Sequence, residues 1–263
     1  MQIKEKKSLG QNFLIDKNII KKIIDVGNIN FKDTVLEVGP GTGNLTESIL
    51  QKKPKKIFVV EKDEKLAQLL LERFKNEIII INKDILKISE NLLSDNKLII
   101  FGNLPYNIST QILAKWITNK DTRTWYKHFI LMFQKEVADR ILAKTNSKNY
   151  GRLCILSNWK LKIEKITDIN ASCFSPRPKV TSTLLKFTPK NDYFKFHDPK
   201  NLEMITRVFF NQKRKKIKNP FNQIFNDTLL ISKELNLDLN LRPQNLSPDT
   251  YYKITKEYEN LRN

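Results

Sequence analysis

The sequence predicts an α/β fold built on a mostly parallel, seven-stranded sheet, followed by a small all-α C-terminal domain. Two observations support this prediction. Between residues 33 and 187, short β-branched runs alternate with longer segments of helical period, which is typical of a parallel sheet covered on both faces. After Pro189 the β-branched runs stop, and the chain becomes polar with helical periodicity. We therefore predict one domain over residues 1–189 and a second over residues 190–263.

The individual elements follow from the spacing of apolar residues. Strands are predicted where β-branched and aromatic residues run together, at 34–38, 56–60, 77–82, 97–102, 128–133, 153–159 and 180–187. Helices are predicted where apolar residues recur every three or four positions, at 17–26, 45–52, 64–74, 86–93, 109–118 and 135–143. The same pattern in the second domain predicts helices at 202–210, 219–225, 228–235 and 248–261.

The chain of 263 residues carries 47 Lys and Arg residues against 28 Asp and Glu residues, giving a formal net charge of +19. Such an excess favours a polyanionic partner, either nucleic acid or an anionic membrane surface. Because lysine is frequent throughout the chain, the charge also fits an ordinary solvated surface. Clustering favours a binding patch, because one short stretch without any acid holds Arg207, Lys213, Arg214, Lys215, Lys216 and Lys218.

Several classes of protein are disfavoured by the sequence. No apolar run approaches the ~20 residues that span a bilayer, and the N-terminal residues lack the apolar core of a secretory signal. Cys154 and Cys173 are isolated, without a CxxC pair or a nearby histidine, so we expect neither a disulfide framework nor a metal site. We expect a cytoplasmic protein without a membrane partner.

A glycine-rich loop follows the first predicted sheet strand. Three of the seven glycines of the chain lie close together, at Gly39, Gly41 and Gly43, where the sequence from residue 37 reads EVGPGTG. Glycine allows a tight turn and lets a ligand approach the backbone. The dinucleotide pattern needs a further glycine where Asn44 stands, and no Gly-Lys-Ser/Thr of a P-loop follows. With Glu37 close by, the loop suits a cationic or amine-bearing ligand better than a phosphate.

Two acidic residues stand at the ends of the next two predicted strands. Glu61 follows the second strand, where a carboxylate can accept hydrogen bonds from both hydroxyls of a ribose. Asp84 follows the third strand, where a carboxylate can accept from an adenine amino group. Either acid alone also fits an ordinary helix cap. Because open α/β sheets bind ligands at the carboxyl ends of their strands, we expect both acids and the loop to surround one ligand.

The fourth predicted strand ends in the sequence NLPY, which covers residues 103–106. Asn103 carries an acceptor carbonyl, Pro105 stiffens the turn, and Tyr106 offers a flat aromatic face. This set can hold the amine of a nucleobase. The Asn103 side chain and the Leu104 or Pro105 carbonyl would accept the amine hydrogens while Tyr106 stacks on the ring. A plain turn with a buried tyrosine is the alternative.

These motifs resemble those of the ribosomal RNA adenine N6-dimethyltransferases, Rossmann-like class I methyltransferases that use S-adenosylmethionine. The resemblance runs from Lys7 to about Pro189 and rests on SLGQNFL at 8–14, EVGPGTG at 37–43, NLPY at 103–106 and FSPRPKV at 174–180. It implies that Phe174 joins Tyr106 around the target adenine. It also implies a cofactor site that includes Asn12, Leu14, Gly39, Glu61, Asp84 and Asn103. The C-terminal helical segment is similar, less specifically, to the RNA-contacting domain of the family.

The resemblance implies a function in ribosome assembly. Methyl groups would pass from S-adenosylmethionine to the N6 amines of two adjacent adenosines, each dimethylated, in the RNA of the small ribosomal subunit. The partner would be this RNA or the pre-assembled small subunit, and we expect a monomer. Two alternatives stay open: methylation of large-subunit RNA of the antibiotic-resistance type, or a nucleic-acid-binding factor without activity. No general base is expected, and His128 is expected to be structural.

Overall fold

The computed structural model describes residues 11–120 and 124–262 of the chain. Ser8, Leu9 and Gly10 of the first motif lie outside the described residues. The chain divides into two compact units. Unit 1 takes its residues from the ranges Met1–Leu113, Asp121–Ala138 and Lys162–Pro189, and unit 2 takes its residues from Ala114–Lys120, Asp139–Leu161 and Lys190–Asn263.

The strands of the described residues are β1 (Phe13–Leu14), β2 (Thr34–Val38), β3 (Lys56–Val60), β4 (Ile79–Ile81), β5 (Leu98–Gly102), β6 (Tyr126–Gln134), β7 (Leu161–Ile169), β8 (Phe174–Ser175) and β9 (Ser182–Pro189). The helices are α1 (Lys17–Gly27), α2 (Asn44–Leu50), α3 (Glu64–Phe74), α4 (Ser109–Ile117), α5 (Lys135–Ile141), α6 (Arg152–Lys160), α7 (Lys200–Phe210), α8 (Lys218–Ile224), α9 (Thr228–Glu234) and α10 (Pro248–Asn260).

The main sheet has seven strands in the order β4-β3-β2-β5-β6-β9-β7. The five strands from β4 to β6 run parallel to one another, and β9 pairs antiparallel with β6. The chain order reverses on either side of β2, so β3 and β5 both flank it. In an open α/β sheet, the crevice at such a switch point is where ligands bind. The predicted α/β fold with a mostly parallel seven-stranded sheet is confirmed.

Strands β2 and β5 lie in the interior of the sheet. All residues of both strands are buried, as expected for strands covered on both faces. Helix α1 begins at a capping residue, since the Asp16 carboxylate accepts from the N–H groups of Asn18 and Ile19, both at 2.9 Å. The helix then buries Ile20 and Ile23 in the apolar core of unit 1.

Two predicted elements are wrong. The segment 153–159 is not a strand but lies within α6, which buries residues around its whole circumference, and periodicity cannot separate such a helix from a buried strand. The seventh strand of the sheet is instead β7, directly after this helix. The predicted helix at 86–93 is replaced by two short 3₁₀ turns, Ile85–Lys87 and Glu90–Leu92.

The domain prediction needs one correction. The boundary after Pro189 coincides with a limit of unit 1, but residues 114–120 and 139–161 belong to unit 2 instead of the N-terminal domain. The reason is the packing of α6, which contacts α7 and α10. Tyr252 of α10, for example, donates its hydroxyl to the Ile155 carbonyl at 2.8 Å. From residue 190 to residue 262, the described elements are all helical.

No helix among the described residues is long and apolar enough to cross a membrane.

Candidate active site

A cavity of about 190 Å³ lies at the carboxyl ends of β2, β3, β4 and β5, entirely within unit 1. These are the strand ends at which the sequence places glycines, acids and the NLPY motif. The cavity lining includes most of the predicted site residues, namely Asn12, Leu14, Gly39, Gly41, Glu61, Asp84, Asn103, Leu104, Pro105 and Tyr106. Gly43 and Phe174 are not part of the lining.

The glycine-rich loop is packed too tightly for side chains. Gly41 has a φ of 58°, and a Cβ atom there would overlap the ring of Phe13. Gly43 has a φ of 85°, and a Cβ atom there would lie 2.6 Å from Phe74 of α3. Both surroundings exclude an ordinary side chain without displacement of a neighbour. Gly41 thus allows the loop to pack against Phe13, whereas Gly43 allows the start of α2 to pack against α3.

Two buried glutamates lie beneath this loop. Glu37 on β2 is 1% exposed, and its Oε2 accepts a hydrogen bond from Thr46 Oγ1 at 2.7 Å. Burial raises the pKa of Glu37 to about 7. Glu61 accepts from the N–H of Asp63 at 2.8 Å, and burial raises its pKa as well. The base of the cavity therefore holds acceptor groups that disfavour an anionic ligand.

Asp84 has a different environment. Its Oδ1 accepts from the N–H of Leu86 at 3.0 Å, and its Oδ2 accepts from Lys62 Nζ at 2.9 Å. The hydrogen bond from Lys62 is the main cause that lowers the pKa of Asp84. Asp84 is therefore a fixed, ionised acceptor at the end of β4. Lys62 lines the same cavity, and no sequence motif indicates it.

Asn103, at the end of β5, has a defined amide orientation. Its Nδ2 donates to the carbonyl oxygen of Asn12 at 2.7 Å. Within the described residues, no donor reaches Asn103 Oδ1, so this oxygen remains an acceptor in the cavity lining. The neighbouring Tyr106 is half-buried and shares a hydrogen bond of 2.5 Å with Ser182 Oγ of β9. Burial raises the pKa of Tyr106, so the phenol is neutral at physiological pH.

Residues 11–14 form an N-terminal strap along the cavity, and all four line it. Gln11 Nε2 donates to Asp63 Oδ2 at 3.2 Å, which connects the strap to the start of α3. The strap includes β1, which pairs antiparallel with β8 so that Phe13 lies opposite Ser175. Two motifs far apart in the sequence, SLGQNFL and FSPRPKV, are therefore joined in a two-stranded sheet.

Phe174 does not occupy the position that the resemblance implied. It lies on β8 opposite Leu14, is 3% exposed, and belongs to the apolar core of unit 1. Its ring therefore packs among core residues and does not stand beside Tyr106 in the lining of the cavity. This placement gives the predicted stacking role of Phe174 no support.

The predicted basic patch lies in unit 2, on α7, on the loop that follows it and at the start of α8. Arg207, Arg214, Lys215, Lys216 and Lys218 are exposed. Lys213 is only partly exposed, because its Nζ donates to the carbonyl oxygens of Lys148 at 2.8 Å and Tyr150 at 3.0 Å. Lys213 is thus a packing residue, which the sequence could not distinguish from its exposed neighbours.

His128 lies on β6, away from the cavity lining. Its Nε2 contacts the Gly27 carbonyl at the end of α1 at 3.0 Å, and burial lowers its pKa. A neutral imidazole that donates to this carbonyl accounts for the residue, consistent with the structural role expected of it.

The residues that sequence reasoning missed are Gln11, Asn44, Lys62 and Ser182. In the sequence, Asn44 stands out only because it departs from the dinucleotide pattern, yet it lines the cavity and donates to the Leu14 carbonyl at 2.9 Å. A polar residue directly after a glycine-rich loop was the available signal. The partner of such a residue depends on long-range packing, which a single sequence does not display.

The switch-point cavity, with a glycine-rich loop and an acid after each of the next two strands, places the protein in the Rossmann-like class that binds nucleoside-bearing cofactors. The model of the family described as ribosomal RNA adenine dimethylase matches residues 2–260. The chain therefore belongs to the ribosomal RNA adenine dimethylase family. Three predictions are confirmed: the family, an rRNA adenine methyltransferase activity, and S-adenosylmethionine as the cofactor.

Relatives of the chain carry a common name. A protein of Pelagibacter ubique is 60% identical over 262 residues, covering 100% of both chains, and one of Ehrlichia ruminantium is 40% identical over 93% of this chain and 94% of the relative. Both are named ribosomal RNA small subunit methyltransferase A.

One solved structure agrees with this assignment, and a second one shares the fold. A dimethyladenosine transferase from Plasmodium falciparum is 28% identical with a TM-score of 0.82, over 94% of this chain and 98% of that chain. The 23S rRNA methyltransferase ErmE is 20% identical with a TM-score of 0.68, over 95% and 100%. The likeness to ErmE shows a common fold alone.

Proposed function

We propose that this protein transfers methyl groups from S-adenosylmethionine to the N6 amines of two adjacent adenosines in small-subunit ribosomal RNA, forming dimethyladenosine during ribosome assembly. The observation that carries the proposal is the orientation of Asn103, whose amide N–H is bonded to Asn12 so that its oxygen is left as an acceptor in the cavity. An acceptor at this point is what an amino group presented for methylation requires.

The hydrogen-bond acceptors of the cavity fit the cofactor. Glu61 at the end of β3 would accept from the ribose hydroxyls, and Asp84 at the end of β4 would accept from the adenine amino group. Gly39 and Gly41 bring loop backbone into the cavity lining, and Gly39, with a φ of 71°, packs closely against the end of β5, where a Cβ atom would lie 3.2 Å from the main-chain carbonyl oxygen of Asn103. The acidic cavity base suits a ligand that carries a sulfonium and an ammonium group.

The bound cofactor supplies an electrophilic methyl group on a sulfonium. The adenine N6 lone pair is delocalised into the ring, so the amine is a poor nucleophile until it is pyramidalised. Asn103 Oδ1 and the carbonyl of Leu104 or Pro105 would accept its two hydrogens and direct the lone pair toward the methyl group. Tyr106 would stack on the flipped base, a contact worth roughly 1–3 kcal/mol. The methylated N6 is cationic until it gives one of its protons to water, so positioning by these groups takes the place of general-base catalysis.

The names of the relatives support small-subunit RNA as the substrate. The exposed basic residues Arg207, Arg214, Lys215, Lys216 and Lys218 of unit 2 are proposed to contact its phosphates. The proposed catalytic and cofactor-binding residues other than Gly43 and Phe174 lie in the cavity lining, which argues against a silent binding factor. The monomeric state and the cytoplasmic location stay predictions.

Incubation with methyl-labelled S-adenosylmethionine tests the proposal. The substrates are unmethylated small subunits, large subunits and the naked RNAs of each, and the Asn103→Ala protein is the control for methyl transfer at the cavity. Label at N6 of two adjacent adenosines of small-subunit RNA is expected. Label confined to large-subunit RNA, or no label above the Asn103→Ala control on any substrate, would overturn the proposal.

A further inference from the structure

The two edges of the N-terminal strap (residues 11–14) are bonded in different ways. On one edge β1 pairs with β8, and the ladder continues where the N–H of Ile15 donates to the Cys173 carbonyl at 2.9 Å. Backbone groups of successive residues in a strand point to opposite edges. Residues 13 and 15 therefore face β8, whereas Asn12 and Leu14 turn their carbonyls to the edge that has no neighbouring strand among the described residues.

Both of these carbonyls are satisfied by asparagine side chains. Asn103 Nδ2 donates to the Asn12 carbonyl at 2.7 Å, and Asn44 Nδ2 donates to the Leu14 carbonyl at 2.9 Å. The two amides bond the strap on the edge that has no neighbouring strand among the described residues. They also satisfy polar groups that would otherwise lose their hydrogen bonds beside a partly buried cavity.

Asn44 is held by a hydrogen-bonded turn and helix. It is the first residue of α2, and the loop before it is closed by a hydrogen bond of 3.0 Å from the Gly43 N–H to the Pro40 carbonyl. The helix continues with a bond of 3.0 Å from the Glu47 N–H to the Gly43 carbonyl. An amide that projects from this turn and helix fixes the position of Leu14 relative to the sheet.

The register of the strap determines what Asn103 can bind. A slip of one residue would move the strap by about 3.3 Å and turn the carbonyl of residue 12 to the other edge. Asn103 Nδ2 would then lose its acceptor, and its amide would be free to rotate its oxygen out of the cavity. Among the described residues, two residues of the strap pair regularly with β8, so this short ladder by itself holds the register weakly.

We propose that Asn44 is a positioning residue for methyl transfer: by holding the Leu14 carbonyl it keeps the N-terminal strap in register, so that the Asn12 carbonyl orients the Asn103 amide. The proposal rests on the proposed role of Asn103. It assigns a function to the asparagine that stands where a dinucleotide-binding loop would carry glycine.

The test compares Asn44→Asp with Ser48→Ala. Aspartate has the shape of asparagine and is favourable in the first turn of a helix, but it cannot donate to the Leu14 carbonyl. Ser48 lies one turn later on α2 and loses a bond of 3.4 Å to the Asn44 carbonyl when it is changed to alanine. Among the described residues, its hydroxyl makes no hydrogen bond to the strap. The first readout is amide hydrogen exchange of Ile15 and Asp16 in the protein without ligands, measured together with the free energy of unfolding.

Asn44→Asp is expected to speed exchange of both amides about tenfold while the free energy of unfolding of the whole protein changes little, since local opening reports local stability. Single-turnover methyl transfer at saturating cofactor and RNA is expected to fall about tenfold or more, because a small misplacement of an orienting group is costly. Ser48→Ala should leave both measurements at the parental value. Unchanged exchange and unchanged transfer in Asn44→Asp would overturn the proposal.

A double variant shows whether Asn44 acts through Asn103. If it does, Asn44→Asp combined with Asn103→Ala transfers methyl groups no more slowly than Asn103→Ala alone. Multiplicative losses would show that Asn44 acts independently of Asn103. A raised cofactor KM with an unchanged kcat in Asn44→Asp would make Asn44 a direct cofactor contact. Either result would overturn the proposal. Failure of the proposed function is seen separately, as absence of methyl transfer to small-subunit RNA by the unmodified protein.

Discussion

The side chain of Asn103 donates to the backbone carbonyl of Asn12 across 2.7 Å, although the two residues are 91 positions apart in the chain. This bond joins the end of β5 to the N-terminal strap. An amide has one donor end and one acceptor end, so occupation of the donor end by the strap sets the direction of the acceptor end. The proposed amine acceptor is therefore oriented before any substrate binds.

We predict that Asn103→Ala lowers single-turnover methyl transfer by about a hundredfold or more, as expected for loss of one preorganised polar contact in the transition state. RNA affinity should change little, because the side chain makes one contact among many. Rapid-quench measurements at saturating cofactor, together with RNA binding by filter retention, separate the two quantities. Transfer at the parental rate in a folded Asn103→Ala protein would remove Asn103 from the mechanism.

The Tyr106 ring and its hydroxyl are predicted to make separable contributions. Tyr106→Phe keeps the ring and loses only the hydrogen bond to Ser182, so transfer should fall by no more than a few fold. Tyr106→Ala removes a stacking contact of roughly 1–3 kcal/mol and should weaken both RNA binding and transfer. Ser182→Ala is the matched control and should equal Tyr106→Phe. Equal losses in Tyr106→Phe and Tyr106→Ala would show that the hydroxyl, not the ring, carries the role.

Glu61→Gln is predicted to weaken S-adenosylmethionine binding. Glutamine keeps the size of the side chain and can still accept from the Asp63 N–H, but it loses the charge that strengthens bonds from ribose hydroxyls. A charge-assisted hydrogen bond contributes roughly 1.5–3 kcal/mol, so the Kd should rise about ten- to hundredfold. Calorimetry on the protein without RNA measures this change. Glu64→Gln, on the exposed start of α3, should bind like the parent, and an equal effect of the two changes would contradict the assignment.

The sequence predicted the strand ends of the site because those positions follow from hydrophobic patterning and from the topology of parallel sheets. Glu61, Asp84 and Asn103 each follow a buried strand, and they do line one cavity. Patterning failed for α6, because a helix buried on all sides has no amphipathic signature.

The partners of individual side chains could not be predicted from a single sequence. Phe174 looked like a free aromatic residue, yet its burial depends on the pairing of β8 with a strand about 160 positions earlier, where it lies opposite Leu14. Lys213 looked like its basic neighbours, yet two carbonyls of another segment bind its ammonium group. Such contacts are set by tertiary packing, and neither residue type nor spacing encodes them locally.

This difference within the basic patch leads to a further prediction. Changing the exposed Arg214 and Lys215 together to glutamine should weaken RNA binding and reduce the slope of log K against log salt by about 0.7–0.9 for each phosphate that the variant no longer neutralises. Lys213→Gln is the matched control, because its ammonium group is bonded to protein carbonyls. Lys213→Gln should lower the melting temperature and leave the salt slope of RNA binding close to the parental value. A salt slope unchanged by the double variant would make the patch ordinary solvated surface.

The buried carboxyl group of Glu37 predicts a specific dependence of stability on pH. Burial raises its pKa from the ordinary value of 4.5 to about 7 in the folded protein. A group whose folded pKa is raised binds its proton more tightly in the folded state. The contribution of Glu37 to the free energy of unfolding is therefore fully present below pH 4.5 and is lost as the pH rises through 7.

Glu37→Gln keeps the acceptor for the Thr46 hydroxyl but does not titrate, so it should lack this loss. Between about pH 5.5 and pH 8, the free energy of unfolding of the parent should therefore fall by about 2 kcal/mol relative to that of Glu37→Gln. Guanidinium denaturation of both proteins at the two pH values, without cofactor, measures the difference, in which groups common to both proteins largely cancel. Glu64→Gln, an exposed change, should run parallel to the parent at both values. If Glu37→Gln also ran parallel to the parent, the Glu37 carboxyl would be ionised throughout this range, and the acidic base of the cavity would carry a full charge before the cationic ligand binds.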